Sequence, residues 1–357
     1  MKGRYKRSMA ASTTKFVFDI WYFAGLSSDV KRGKMVRREI AGEPITLGRD
    51  EGGNVFALRD ICPHRAAPLS SGCIKSGTVE CPYHGWRFGI EDGACKEIPA
   101  LCDGQEMETE KIKVRTFPVR EDGALIWIFI SSDKRFAGIP DIDPPRFAFA
   151  DRKATLDDSV TLNCHVDHAV IGLMDPAHGP YVHRQWWWRS EHSMHEKAKK
   201  FSPIERGFSM VAHSPSSNSF AYKLLGGKPV TEINFRLPGI RTEEIKVGKK
   251  TVLSFTTVTP LDESRTQIRQ IFFTDHGLFK ALSPLIRIGA RAFLRQDAHM
   301  VDLQQMGLAY DPTLMLVEDS DTQAKWYFAL KKAWAKSRQT GSNFVNPVKS
   351  KTLRWRS

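Results

Sequence analysis

The chain has 357 residues, of which 41% are hydrophobic and 26% charged, the composition of an ordinary globular protein with room for two domains. Its formal net charge of +13 fits nucleic acid, an anionic membrane or an acidic protein partner, but no zinc-finger spacing or RNA-recognition aromatic motif accompanies it. No stretch approaches the ~20 apolar residues of a membrane span. Residues 1–16 are basic and then Ser/Thr-rich and lack the apolar run of a signal peptide, so the expectation is a cytoplasmic protein with reduced thiols and a disordered basic start.

Residues 16–132 read as β-rich, with short strands at 35–40, 55–58 and 124–130 separated by Gly, Asp and Lys turns. A Pro/Asp-rich stretch at 139–145 reads as a linker. Beyond it the pattern changes. Residues 169–174 predict a helix that stops near Pro176, strands return at 232–237 and 251–258, and helices are expected over 278–306 and 322–335. The tail 337–357 is basic and polar and is expected to be loosely held. No internal repeat is present.

Cys62-Pro63-His64 and Cys81-Pro82-Tyr83-His84 each offer one thiolate and one imidazole across a tight loop. The sixteen residues between His64 and Cys81 suffice for a hairpin that brings the loops face to face. Two Cys and two His can hold a structural zinc or a [2Fe–2S] cluster in which two imidazoles replace two thiolates on one iron. A zinc finger expects paired Cys at one end and paired His at the other; one of each per loop suits the cluster better. The remaining cysteines, Cys73, Cys95, Cys102 and Cys164, have no paired spacing and read as small buried or half-buried residues.

Further on, Asp175-Pro176-Ala177-His178-Gly179-Pro180-Tyr181-Val182-His183 places two His, with four residues between them, around a Gly-Pro bend. Two imidazoles and one carboxylate on one face of an iron leave positions open for O₂. His165 and His168 read as pocket-lining or hydrogen-bonded core residues. The run Trp186-Trp187-Trp188 reads equally as a substrate-pocket wall, an intersubunit contact or core packing.

Both motifs, in this order, resemble those of the Rieske non-haem iron oxygenase catalytic subunits, over residues 16–335. Respiratory Rieske proteins carry a disulfide-forming Cys in each loop; Ala67 and Tyr83 occupy those positions here, which points to the oxygenase branch. The resemblance implies an α+β protein: an antiparallel β Rieske domain (16–135), a helix-grip catalytic domain of the START/Bet v 1-like kind (136–340) and a basic C-terminal tail (341–357). It implies that Cys62, His64, Cys81 and His84 hold the [2Fe–2S] cluster and that His178 and His183 bind a mononuclear Fe²⁺. Asp175 would link that site to His84 of a neighbouring subunit in a trimer. The resemblance further implies that Gln296-Asp297-Ala298-His299-Met300-Val301-Asp302-Leu303-Gln304, an acidic residue, a spacer, an acidic residue and a Gln, would supply the third ligand, Asp297 in preference to Asp302, with His299 ranked lower. One departure is that Ile171 and Gly172 stand where many members carry polar residues.

The implied activity is that of a terminal oxygenase. A separate NAD(P)H-dependent reductase, with or without a ferredoxin, supplies electrons, and a small hydrophobic aromatic, alicyclic or sterol-like substrate is monooxygenated. The length resembles the vanillate demethylase-like oxygenases more than the larger ring dihydroxylases. No glycine-rich dinucleotide fingerprint is present. Cis-dihydroxylation is the alternative within the enzyme class; a Rieske electron carrier without oxygenase activity is the alternative outside it.

Overall fold

The computed structural model describes residues 15–136, 138–183, 194–214 and 228–357. Trp186, Trp187 and Trp188 lie outside the described residues, as do residues 1–14. The chain forms two compact units, Phe18–Arg152 and Lys153–Ser357, the latter joined by residues up to Val17.

The first unit is built from ten short strands: β1 (Ile20–Leu26), β2 (Lys34–Ile40), β3 (Glu43–Arg49), β4 (Val55–Arg59), β5 (Cys73–Lys75), β6 (Thr78–Glu80), β7 (Arg87–Gly89), β8 (Cys95–Glu97), β9 (Val119–Asp122) and β10 (Leu125–Ile130). They form three antiparallel sheets, ordered β1-β10-β9, β2-β3-β4 and β5-β6-β7-β8. Every residue of β1 and β10 is buried, which explains why both read as unbroken apolar runs rather than alternating ones. The stretch 139–145 lies in this unit and is tied to it by Trp21 Nε1, which donates to the Ile142 carbonyl at 2.7 Å. The Cys62 loop follows β4 and the Cys81 loop joins β6 to β7. Phe56, Leu58, Leu69, Val79, Phe88 and Val114 form the apolar floor beneath both.

The second unit is dominated by an eight-stranded antiparallel sheet ordered β11-β17-β16-β15-β14-β13-β12-β18. Its strands are β11 (Leu156–Leu162), β12 (Glu196–Ile204), β13 (Gly207–His213), β14 (Val230–Arg236), β15 (Ile240–Val247), β16 (Lys250–Pro260), β17 (Thr266–Thr274) and β18 (Lys351–Arg356). The helices are α1 (Val166–Met174), α2 (Gly179–Val182), α3 (Gly277–Ala281), α4 (Ser283–Leu308) and α5 (Thr322–Thr340). A β unit followed by an α+β unit with one large sheet and few helices is the fold class expected from the sequence.

The C-terminal tail departs from expectation. It is not loosely held: β18 pairs along its whole length with β12, and Leu353 and Trp355 are buried. The sequence Lys351-Thr352-Leu353-Arg354-Trp355-Arg356 alternates with period two, so its apolar residues share one face while the basic ones give the segment its polar composition. Beneath α1, Asp167 accepts from Tyr327 Oη at 2.7 Å and from Lys331 Nζ at 2.7 Å, an anchor to α5 in which all three residues are buried.

Candidate metal centres

The two Cys/His loops of the first unit follow one hydrogen-bond plan. Cys62 N–H donates to the Ala67 carbonyl at 2.9 Å and Ala66 N–H donates to the Cys62 carbonyl at 2.9 Å. Cys81 N–H donates to the Trp86 carbonyl at 2.8 Å and Gly85 N–H donates to the Cys81 carbonyl at 3.1 Å. Both turns close on a left-handed residue, Ala66 at φ +57° and Gly85 at φ +72°. The cysteines are buried, His64 is exposed and His84 is half-buried. The imidazole rings lie side by side, 4.5 Å between centroids, and Trp86 stacks flat on His64 at 4.7 Å. Tyr83, exposed at a position where a respiratory protein has its disulfide, sits 3.9 Å from the His84 ring.

Below the first loop, the fully buried Asp60 carboxylate collects four hydrogen bonds. Thr46 Oγ1 and Ser70 N–H donate to Oδ1, each at 2.7 Å, and Arg37 Nη1 and Ser70 Oγ donate to Oδ2 at 2.6 and 2.8 Å. Asp60 stands two residues before Cys62 and so holds that loop against β3.

Burial, and then the adjacent Cys81 thiol, pushes the Cys62 thiol up to about 11, so the thiolate needs a metal to stabilise it. Desolvation, followed by the charges of His64 and Arg65, lowers the His84 pKa and favours the neutral imidazole that a metal requires. The thiols adjoin each other and so do the imidazoles. Yet among the described residues only His178, His183 and Asp297 bring three such donor atoms within 4.8 Å of one another. Two adjoining sulfurs and two adjoining imidazoles are the donor set of a two-iron cluster of the Rieske kind.

In the second unit α1 ends at Asp175, whose Oδ1 accepts from Ala177 N–H at 2.7 Å and turns the chain. His178 caps the start of the one-turn helix α2, with Pro180 in its first turn, and His183 caps its end. One turn thus brings the rings together: His178 Nε2 and His183 Nε2 are 3.2 Å apart. Asp297, from the middle of α4, places Oδ1 3.2 Å from His183 Nε2 and 3.8 Å from His178 Nε2. The circumradius of that triangle is about 2.0 Å, the bond length from imidazole nitrogen or carboxylate oxygen to a first-row divalent ion. The triad therefore fits such an ion, with one side left open.

The outer edges of the two imidazoles differ. His183 Nδ1–H donates to Gln296 Oε1 at 2.9 Å, which fixes the tautomer that points Nε2 at the triangle. Among the described residues His178 Nδ1 is buried without a hydrogen-bond partner, and Asp175 Oδ2 stands 3.7 Å from it. Burial pulls the His178 pKa down, but Asp175 and then Asp297 outweigh it, and the net direction is up.

The other candidates fall elsewhere. Asp302 is exposed and approaches Asn163 Nδ2, and the exposed His299 lines a cleft of about 360 Å³ with Tyr181, Val182, Arg295, Gln296 and Met300. His165 caps the start of α1, accepting from Asp167 N–H, and the imidazole of His168 is held toward the neutral form by burial. Cys95 and Cys164 are buried as expected, whereas Cys73 and Cys102 are exposed; Cys73 opens a three-residue strand and Cys102 sits in an acidic turn, neither of which has a core to enter. Asp60, Asp167 and Lys331 carry no local sequence signal and were not foreseen.

Residues 20–118 match the Rieske [2Fe-2S] domain. The oxygenase component of dicamba O-demethylase from Stenotrophomonas maltophilia is 38% identical over 176 residues, 47% of this chain and 48% of that protein. The 4beta-methylsterol monooxygenase of Methylococcus capsulatus is 32% identical over 46% of this chain and 44% of its own length. The chain spans about half the length of these curated relatives. The crystal structure of dicamba monooxygenase bound to dicamba superposes with a TM-score of 0.73 at 23% identity, covering 92% of this chain and 99% of that one, a likeness of fold.

Proposed function

From a chain that carries a Rieske [2Fe–2S] domain joined to a second domain of the Rieske oxygenase fold, we propose a terminal oxygenase component. It takes electrons from a separate NAD(P)H-dependent reductase, with or without a ferredoxin. With O₂ it monooxygenates a small hydrophobic organic substrate, by hydroxylation or by O- or N-dealkylation. The observation that carries this is the convergence of His178, His183 and Asp297 at 3.2, 3.2 and 3.8 Å, which an electron carrier has no use for.

Cys62, Cys81, His64 and His84 hold the cluster in this proposal, and His178, His183 and Asp297 hold the Fe²⁺. When bound, the cluster stores one electron at a time and the ferrous ion offers its open face to O₂. The protein's own groups set the conditions. Asp297 supplies the one anionic donor, the buried His183 excludes water from its side of the site, and Gln296 keeps its ring in the ligating tautomer. Asp175, beside His178, is the group proposed to meet His84 of the partner subunit in a trimer. Two relatives named for a demethylase and a sterol monooxygenase support monooxygenation over dihydroxylation.

The test is iron content with activity. Anaerobically purified protein should hold about three irons per chain, and His183→Ala about two with the visible spectrum of the cluster intact. Wild type with NADH and a reductase should convert members of an apolar substrate panel to products one oxygen heavier or demethylated, read by mass spectrometry. Two irons in wild type, or full turnover in His183→Ala, would sink the assignment.

A further inference from the structure

The outer face of α3 and the first half of α4 carries apolar side chains that the proposed oxygen chemistry does not use. Leu278, Leu285 and Ile288 are 47%, 65% and 67% exposed, too much for three large aliphatic residues so close together to be incidental. Leu278 and the exposed Ala281 on α3, and Leu285 and Ile288 on α4, are each three residues apart, so each pair shares a face of its own helix on either side of the break at Leu282.

The charges carried by this segment itself have one sign, with the exposed Asp275 standing just before it. Residues 277–296 include Lys280, Arg287, Arg291 and Arg295 and no acidic residue. Arg291 pairs with Asp158; Lys280, Arg287 and Arg295 are exposed with no ion pair among the described residues. The next fifteen residues reverse the balance: 297–311 hold Asp297, Asp302 and Asp311 and no Lys or Arg, although Leu303 and Met306 are also exposed there. An apolar patch built for a second protein copy needs no such segregation. An aliphatic stripe among side chains that are basic throughout its own segment, three of them without an ion pair among the described residues, is what a helix needs to lie in the headgroup region of an anionic bilayer.

We propose that residues 277–295 form a docking surface for an anionic lipid bilayer. Leu278, Leu285 and Ile288 enter the acyl boundary, and Lys280, Arg287 and Arg295 meet lipid phosphates. No helix among the described residues is long and apolar enough to cross a membrane, so the contact is peripheral, and the net charge of +13 steers the approach. The same helix α4 carries Asp297. If the oxygenase proposal holds, docking sets the candidate iron site beside the phase in which an apolar substrate dissolves; the docking itself does not depend on that chemistry.

The experiment is co-sedimentation of the full chain with vesicles of phosphatidylcholine alone or mixed equally with phosphatidylglycerol. Binding should be at least about tenfold tighter to the anionic vesicles and should weaken with added salt. Leu285→Glu with Ile288→Glu should abolish it, Arg287→Glu should weaken it by about tenfold, and Leu303→Glu should leave it unchanged. The exposed positions make folding of these variants safe, and their iron content reports the oxygenase proposal separately. The idea is overturned if wild type stays in the supernatant with anionic vesicles, or if the double variant binds like wild type. It is equally overturned if light scattering shows that the double variant loses oligomer mass, which would mark the face as a contact between copies.

Discussion

Gln296 Oε1 accepts the Nδ1 proton of His183 at 2.9 Å, while Asp297, the next residue along α4, meets the same imidazole at Nε2, 3.2 Å away. Two consecutive residues of one helix thus address both edges of one ring. The second supplies a donor atom and the first decides which nitrogen is free to do the same.

Gln296→Leu should therefore weaken divalent metal binding by about 10–100-fold without changing the cluster. Titration with Co²⁺, followed by its visible bands, measures the first part, and the cluster spectrum of the same sample measures the second. Gln296→Glu keeps an acceptor at the same place and should bind metal at least as well as wild type. Equal affinities in the Leu variant and wild type would show that the ring is oriented by packing against Phe293 instead, 4.3 Å away.

At His178 the neighbour is charged. Asp175 and Asp297 together raise its pKa against the pull of burial, and only the neutral ring can bind metal. Protons and metal compete, so at a fixed free-metal concentration loading should rise with pH. Asp175→Asn removes one of the raising charges while keeping the size of the side chain. Its loading midpoint should move to lower pH, measured as metal bound per chain across a series of buffers. An unchanged or higher midpoint would contradict the electrostatic role given to Asp175.

Much of the site was legible because metal chemistry restricts residue types at short spacing. Cys62, His64, Cys81, His84, His178 and His183 stand in two compact motifs, and the structure brings each set together. The choice among Asp297, His299 and Asp302 was harder from sequence; of the three, Asp297 is the one that lies beside His178 and His183, as helical geometry explains. At about 100° per residue, positions two and five further along point roughly 200° and 140° away, so only one of the three can face the histidines. The strands of the first unit were readable from their apolar runs. The buried polar anchors were not, because their partners are remote: Asp167 meets Tyr327 and Lys331 across 160 and 164 residues. The terminal strand was hidden by its basic composition.

The Asp167–Lys331 pair gives a stability prediction. Lys331 is 2% exposed and its ammonium group holds both oxygens of Asp167, at 2.7 and 3.0 Å. Lys331→Met leaves a buried carboxylate with Tyr327 Oη and, 3.5 Å away, His165 Nδ1, and should cost about 3–5 kcal/mol. Combining it with Asp167→Leu removes the stranded charge and should recover most of that loss. Chemical denaturation of the three proteins decides the matter. A double variant as unstable as the single one would mean that the network contributes through shape rather than charge.

Asp60 makes the corresponding prediction for the cluster loop. Its carboxylate is the common acceptor for Arg37, Thr46 and both donors of Ser70, and it stands two residues before Cys62, the first thiol of the proposed cluster site. Asp60→Ala leaves those donors facing an empty site. Removing one side of a buried charged network costs on the order of 3–5 kcal/mol, and here the strain falls on the loop that presents Cys62 and His64. Asp60→Asn fills the space but offers one accepting oxygen in place of two and turns an amide toward Arg37 or Ser70, so it should rescue only in part. The readout is acid-labile sulfide and iron per chain together with the visible spectrum. Cluster content should fall in the order wild type, Asn, Ala, while metal bound by His178, His183 and Asp297 in the second unit stays the same. If the Ala variant retained a full cluster, loop placement would have to come from the paired turn hydrogen bonds at Cys62 and Cys81 alone, and the carboxylate beneath them would be a stabiliser of β3 with no part in holding the iron.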